Sequence, residues 1–432
     1  MRKNRSSAVV ASLATLVTLL GVSSVATPPT AAQAAAATKV VKKVKTSAKA
    51  KKPVKVTVPA VTKTAAPTAA PKPASTPAGT TTPTVSSRAP VLSATDTQMV
   101  SMIDGVLTTL TANAPAGAAP GTWKGSTGCF RCDAGPALAA AAAAAVTGDA
   151  AKQSFAEKIF DYEIATQRQP NGAFGKNPGG PDIDTMFFAS ELGIAAILLK
   201  PRMDPARYAR WSAAVAGGAD FLINNKNLAW YTNGNIVLGN TLTMALAARL
   251  TGNAKYTAAY ETALSFAVNP PQSRWPGHGF VYTVRGTDPN GFDGKGYFTE
   301  AGSQPGFDAE YSMLQLDLMA PLFLITGDQR VKMYMNLVMN QLWGRVNKTT
   351  WRLDTSGGTR RAEAGREFPF DTAALSVLAN VGGRTDLAPH VASQISIYSP
   401  NFKSAVGDRL LYAFGLIGAS ALMSQPGRTG LR

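Results

Sequence analysis

The chain has 432 residues, only two cysteines and a formal charge of +17, from 43 Lys and Arg against 26 Asp and Glu. That balance would suggest a nucleic-acid binder if it lay on the folded part, but residues 1–90 hold 14 of the basic residues and no acid, while 91–432 hold 29 basic against 26 acidic, a net of +3. Two cysteines also exclude a disulfide-stapled miniprotein and a multi-cysteine zinc module.

Residues 1–35 have the order of a secretory signal peptide. Met1-Arg2-Lys3-Asn4-Arg5 supplies the positive start, and 8–22 is a largely apolar run. That run is shorter than the roughly 20 residues of a membrane span. Ala32-Gln33-Ala34 then fits a cleavage site. An uncleaved anchor is the alternative. With the signal removed, no later stretch is apolar for long enough to span a bilayer, so the expectation is a secreted, extracellular protein.

Residues 36–90 form a Lys/Ala/Pro/Thr-rich linker without aromatics. Ordering it would cost backbone entropy with little apolar burial in return, so it reads as a disordered N-terminal tail. Its lysines suit an anionic cell-wall polymer, and a solvated spacer is the equally simple alternative.

The body, 91–432, reads as helical. Amphipathic runs recur at 136–146, 187–199, 238–250, 314–325, 331–343 and 372–379, with apolar residues at helical spacing. Three of these end on similar punctuation: Thr147-Gly148-Asp149, Thr251-Gly252-Asn253 and Thr326-Gly327-Asp328. Gly can end one helix in a left-handed turn, and Asp or Asn can cap the next. Stacked antiparallel helix pairs follow, closing as a ring or continuing as a solenoid. The stretch 269–304 breaks this pattern. It is long, Gly-rich and carries Trp275, Phe280, Tyr282, Phe292, Tyr297 and Phe298, which marks it as functional. Cys129 and Cys132 read as a local disulfide or two thiols, not as a metal or redox motif.

Chemistry-bearing residues gather in four places. Asp182 and Asp184 follow the Gly-rich 175–180 segment at a helix start, where capping accounts for one of them. Trp230, Tyr231, Asn233 and Asn235 combine flat rings with amides, as a sugar-binding cleft requires. Glu300, Asp308, Glu310 and Tyr311 precede another helix, with one of Asp308 and Glu310 expected as its cap. Arg360 and Arg366 lie in a loop of alternating Arg and Glu, which is either self-paired or set against a substrate carboxylate. His278, in Pro276-Gly277-His278-Gly279, could enter the cleft from the long loop.

The order of these segments resembles the α/α-toroid polysaccharide lyases that act on alginate, hyaluronate and chondroitin. The likeness runs from Trp230 to Glu367: an Asn at a helix start (Asn233-Gly234-Asn235), a Gly- and aromatic-rich loop, a Tyr opening a helix (Asp308-Ala309-Glu310-Tyr311), then an Arg loop. Where those enzymes place a His, this chain has Asn235 or Ile236 and Glu300 or Ala301. The resemblance implies an all-α fold, an α/α toroid following the tail. It also implies β-elimination on a uronate glycan, with Asn233 or Asn235 and Arg366 neutralising the carboxylate, Tyr311 as base, and Tyr311 or His278 protonating the leaving oxygen. Trp230, Tyr231, Asn233, His278, Glu300 and Arg360 would contact substrate.

The acids support a second mechanism, hydrolysis by two carboxylates, Asp184 with Asp308 or Glu310. A third reading is a non-catalytic glycan-binding protein of the cell envelope. No Walker loop, dinucleotide fingerprint or nucleophile elbow is present, so neither a cofactor nor a metal is expected. The Asp288–Asp293 segment lacks EF-hand spacing and reads as a turn. The partner is a polysaccharide rather than a nucleic acid, and the body is expected to act as a monomer.

Overall fold

The TGD and TGN corners form as their chemistry demands. In the computed structural model of the chain, each Thr hydroxyl donates back to the helix carbonyl four residues earlier, at 2.7 Å in all three copies. Each Gly turns left-handed, at φ +81° for Gly148, +66° for Gly252 and +65° for Gly327. The next residue then caps the following helix: Asp149 accepts from Ala151 N–H at 2.8 Å, Asn253 from Lys255 N–H at 3.0 Å and Asp328 from Arg330 N–H at 2.8 Å. Every corner therefore reverses the chain within two residues.

The structure describes residues 92–113, 130–175, 181–300, 305–359, 362–370, 372–402 and 408–425. The leader, the linker, Cys129 and Arg360 lie outside them. Twelve α-helices occur among the described residues. In chain order they are α1 (Ala94–Asn113), α2 (Phe130–Thr147), α3 (Ala150–Gln167), α4 (Pro181–Leu199), α5 (Pro205–Asn224), α6 (Gly234–Thr251), α7 (Ala254–Val268), α8 (Ala309–Thr326), α9 (Gln329–Trp343), α10 (Ala374–Asn380), α11 (Ala388–Phe402) and α12 (Asp408–Met423).

Their packing closes a ring. The even-numbered helices touch in the order α2, α4, α6, α8, α10, α12, and α12 returns to α2. The odd-numbered helices lie outside, each against an inner partner. The fold is an α/α toroid. Burial agrees with this layering: the Ala137–Ala144 run of α2 is fully enclosed, as are Leu192, Leu242, Leu246, Leu316 and Leu318 on the other inner helices. Alanine and glycine permit the closest crossings. Gly415 of α12 lies against the Gly135 backbone of α2, and Gly239 of α6 lies against Met186 of α4, with no room for a methyl group at either.

Strands are short and few. The 269–308 connection holds an antiparallel hairpin, β1 (Phe280–Val284) and β2 (Lys295–Phe298), packed on α9. Its Phe280 ring meets Phe298 at 4.9 Å and Tyr334 at 4.7 Å. The 344–373 connection holds an antiparallel three-stranded sheet, β3 (Val346–Asn347), β4 (Arg352–Asp354) and β5 (Glu367–Pro369). The sequence pattern missed both sheets, because their stabilising pairs lie across loops rather than along a run. No helix among the described residues is long and apolar enough to cross a membrane.

Candidate active site

Because each inner helix follows an outer one, all six inner helices start at the same end of the ring. The short corners occupy the opposite end, so the described parts of the long connections, 168–175, 225–233, 269–300, 305–308, 344–359, 362–370 and 372–373, lie toward the end where the inner helices begin. Six helix N-termini also make that end electropositive, which favours carboxylates there. Asp133, Asp182, Asp184 and Glu310 all fall in first turns of inner helices.

Three linked contacts run around this end. Asp182, half-buried in the first turn of α4, accepts hydrogen bonds from the Tyr231 hydroxyl and, at 2.9 Å, from the Ile183 N–H. Burial, reinforced by the Asp182 carboxylate, holds the Tyr231 phenol above its ordinary range. Asp184 is half-buried two residues further along the same turn. Tyr231 belongs to the loop that opens α6, and its neighbour Trp230 is 54% exposed.

The second contact is built on Glu300, which is 0% exposed. Its carboxylate accepts from the Asn235 N–H at 2.8 Å, Gln315 Nε2 at 3.0 Å and Asn233 Nδ2 at 3.3 Å. Asn233 itself makes no side-chain cap on α6. Glu300, expected among the substrate contacts, supplies that cap from a distant loop. Gln315 was not singled out in the sequence, because a mid-helix Gln carries no local signal. Asn235 is buried, and its Oδ1 has no hydrogen-bond partner.

The third contact joins α8 to the sheet. Asp308 caps α8, accepting from the Tyr311 N–H at 3.1 Å, so the capping role expected of Asp308 or Glu310 falls to Asp308. Glu310 is buried and forms an ion pair with Arg366 at 2.6 Å. Tyr311 is half-buried in the same turn. The Asp184 and Glu310 turns are separated in the ring by α6.

His278 is buried, with its ring edge-on to Trp275 at 6.0 Å. In the Asp288–Asp293 segment, the Asp293 carboxylate accepts from Thr287 N–H at 2.7 Å, Thr287 Oγ1 at 2.9 Å and Asp288 N–H at 3.0 Å. These bonds close a turn and hold its carboxyl below the usual range. Among the described residues, no three His, Cys, Asp or Glu side chains are grouped to hold a metal ion.

No family model matches the chain, and no curated protein matches it. Among solved structures it is similar to a family 76 glycoside hydrolase from a bovine Bacteroides thetaiotaomicron strain, at 13% identity over 76% of this chain and 77% of the other, with a TM-score of 0.46. It is also similar to a family 76 glycoside hydrolase (mannosidase) from Bacteroides thetaiotaomicron VPI-5482, at 12% identity over 77% of this chain and 98% of the other, with a TM-score of 0.40.

Proposed function

We propose that this chain is an exported glycoside hydrolase that cleaves a polysaccharide at the loop-bearing end of the ring, with Asp182 and Asp184 as the reacting carboxyl pair. One observation carries the preference for hydrolysis over elimination. Arg366, the guanidinium that elimination would set against a uronate carboxylate, already pairs with the protein's own Glu310, and the Asn233 amide is given to Glu300. Asp182 and Asp184 are both half-buried. Both acids lie in the first turn of α4, at the end of the ring where the inner helices begin.

In this reading Asp184 gives its proton to the leaving oxygen as the bond to the anomeric carbon breaks. Asp182, oriented by the Tyr231 hydroxyl, acts as the ionised nucleophile or as the base that takes a proton from the attacking water. The net change is addition of one water across the bond.

The test is an assay of purified protein on neutral and uronate polysaccharides, recording reducing ends together with the ultraviolet absorbance of an unsaturated uronate. Reducing ends without that absorbance are expected. Absorbance that disappears in Tyr311→Phe would instead establish the elimination reading, which the half-buried position of Tyr311 beside the Glu310–Arg366 pair keeps in view. Neither signal on a broad panel would point to a glycan-binding protein.

A further inference from the structure

Trp230 is the most exposed of the large apolar side chains among the described residues, and it does not stand alone. Trp275, from the long 269–308 connection, meets its ring edge-on at 6.2 Å. The Arg274 guanidinium lies over both indoles, 5.6 Å from Trp230 and 5.2 Å from Trp275. Exposed indoles are costly in water and mark binding surfaces. The exposed Arg274 guanidinium is held by two aromatic rings.

The loop carrying it is built in advance. Gln272 ties the segment across itself, donating from Nε2 to Pro270 O at 2.9 Å and to His278 O at 3.1 Å, and accepting at Oε1 from Gly277 N–H at 2.9 Å. The Arg274 and Trp275 N–H groups both donate to Pro271 O, at 3.0 and 2.9 Å. His278 closes the far side against Trp275. A loop ordered before binding loses little entropy when a ligand arrives. Trp230 immediately precedes Tyr231, the partner of Asp182, in the loop that opens α6.

We infer that Trp230, Arg274 and Trp275 form a subsite for an anionic sugar residue, one bearing a carboxylate or a phosphate. The Trp230 face stacks on the pyranose ring, and Arg274 pairs with the charged group. This deepens the hydrolase reading by naming the substrate class as a charged glycan, and it rests on that reading for its place in the active site. Binding, however, is measured without turnover.

The test is calorimetric titration at low salt with two matched pairs of probes. One pair is hexagalacturonate and its full methyl ester. The other is a mannohexaose with and without a 6-phosphate. The charged member of one or both pairs should bind about fivefold to tenfold more tightly than its neutral partner, the range of a charge-assisted contact partly in water. Preference in the first pair alone identifies a uronate, and in the second alone a phosphorylated sugar. R274Q should bring the charged and neutral members of each pair to equal affinity, and W230A should weaken all four probes. Equal binding of charged and neutral probes by the unaltered protein overturns the inference, as does a preference that survives R274Q. Protein that binds the charged probes through Arg274 yet releases no reducing ends retains the subsite and loses the hydrolase reading.

Discussion

The Tyr231 hydroxyl donates a hydrogen bond to the Asp182 carboxylate, joining the loop ahead of α6 to the first turn of α4 across 49 residues of sequence. This contact orients an acid at the rim of the ring while leaving it partly open. Removing either carboxyl function should therefore cost far more than removing the hydroxyl. D182N and D184N are each expected to lower kcat by about 10²–10⁴-fold. Y231F should lose about tenfold, the worth of one hydrogen bond to a charged group. Steady-state release of reducing ends measures all three, and full activity in D184N would remove it from the mechanism.

Glu300 satisfies the α6 terminus by receiving Asn235 N–H, Asn233 and Gln315 together. In E300A the buried Asn235 N–H loses its acceptor, Asn233 loses its contact and Gln315 keeps only the Phe298 carbonyl. A stability loss of about 2–4 kcal/mol is expected, combining a lost cap with unsatisfied polar groups. Denaturant unfolding reads it directly, and a loss under about 0.5 kcal/mol, the bottom of the range for a lost cap, would refute the capping role.

Glu163 of α3 is almost fully enclosed, and burial, helped by the nearby Asp133 carboxylate, pushes its pKa up to about 8 from 4.5. Across that window the unfolded chain has released this proton and the folded chain has not. The folded state thus binds more protons, and its stability falls as pH rises from about 4.5 to about 8. A contribution of about 2–4 kcal/mol is expected. Thermal melts of E163Q should show a flatter pH profile than the unaltered chain; parallel profiles would place the titration elsewhere.

Ring closure depends on Gly415 of α12 meeting the Gly135 backbone of α2. A branched side chain there must push apart two inner helices. G415V should cost about 1–3 kcal/mol. Gly344 gives the contrast: it has helical backbone angles and open space around its α-carbon, so G344A should be neutral or stabilising by about 0.4–1 kcal/mol. Equal effects at the two glycines would deny the close crossing.

Several features were legible in the residues themselves. The helical body, the corners at Thr147-Gly148-Asp149, Thr251-Gly252-Asn253 and Thr326-Gly327-Asp328, and the cap from Asp308 or Glu310 all follow from groups within four positions of one another. Over such distances propensity and a single hydrogen bond decide the outcome. The concentration of aromatics and acids ahead of the inner helices was visible in the same way.

What the acids do was decided only by the tertiary structure. Glu310 meets Arg366 across 56 residues and Glu300 meets Asn235 across 65. Arg274 settles between Trp230 and Trp275 although Trp230 lies on a different connection of the ring. No local spacing encodes such pairings. They arise because ring closure sets successive inner-helix N-termini side by side, and a buried carboxylate there must take whichever donor the neighbouring loop presents.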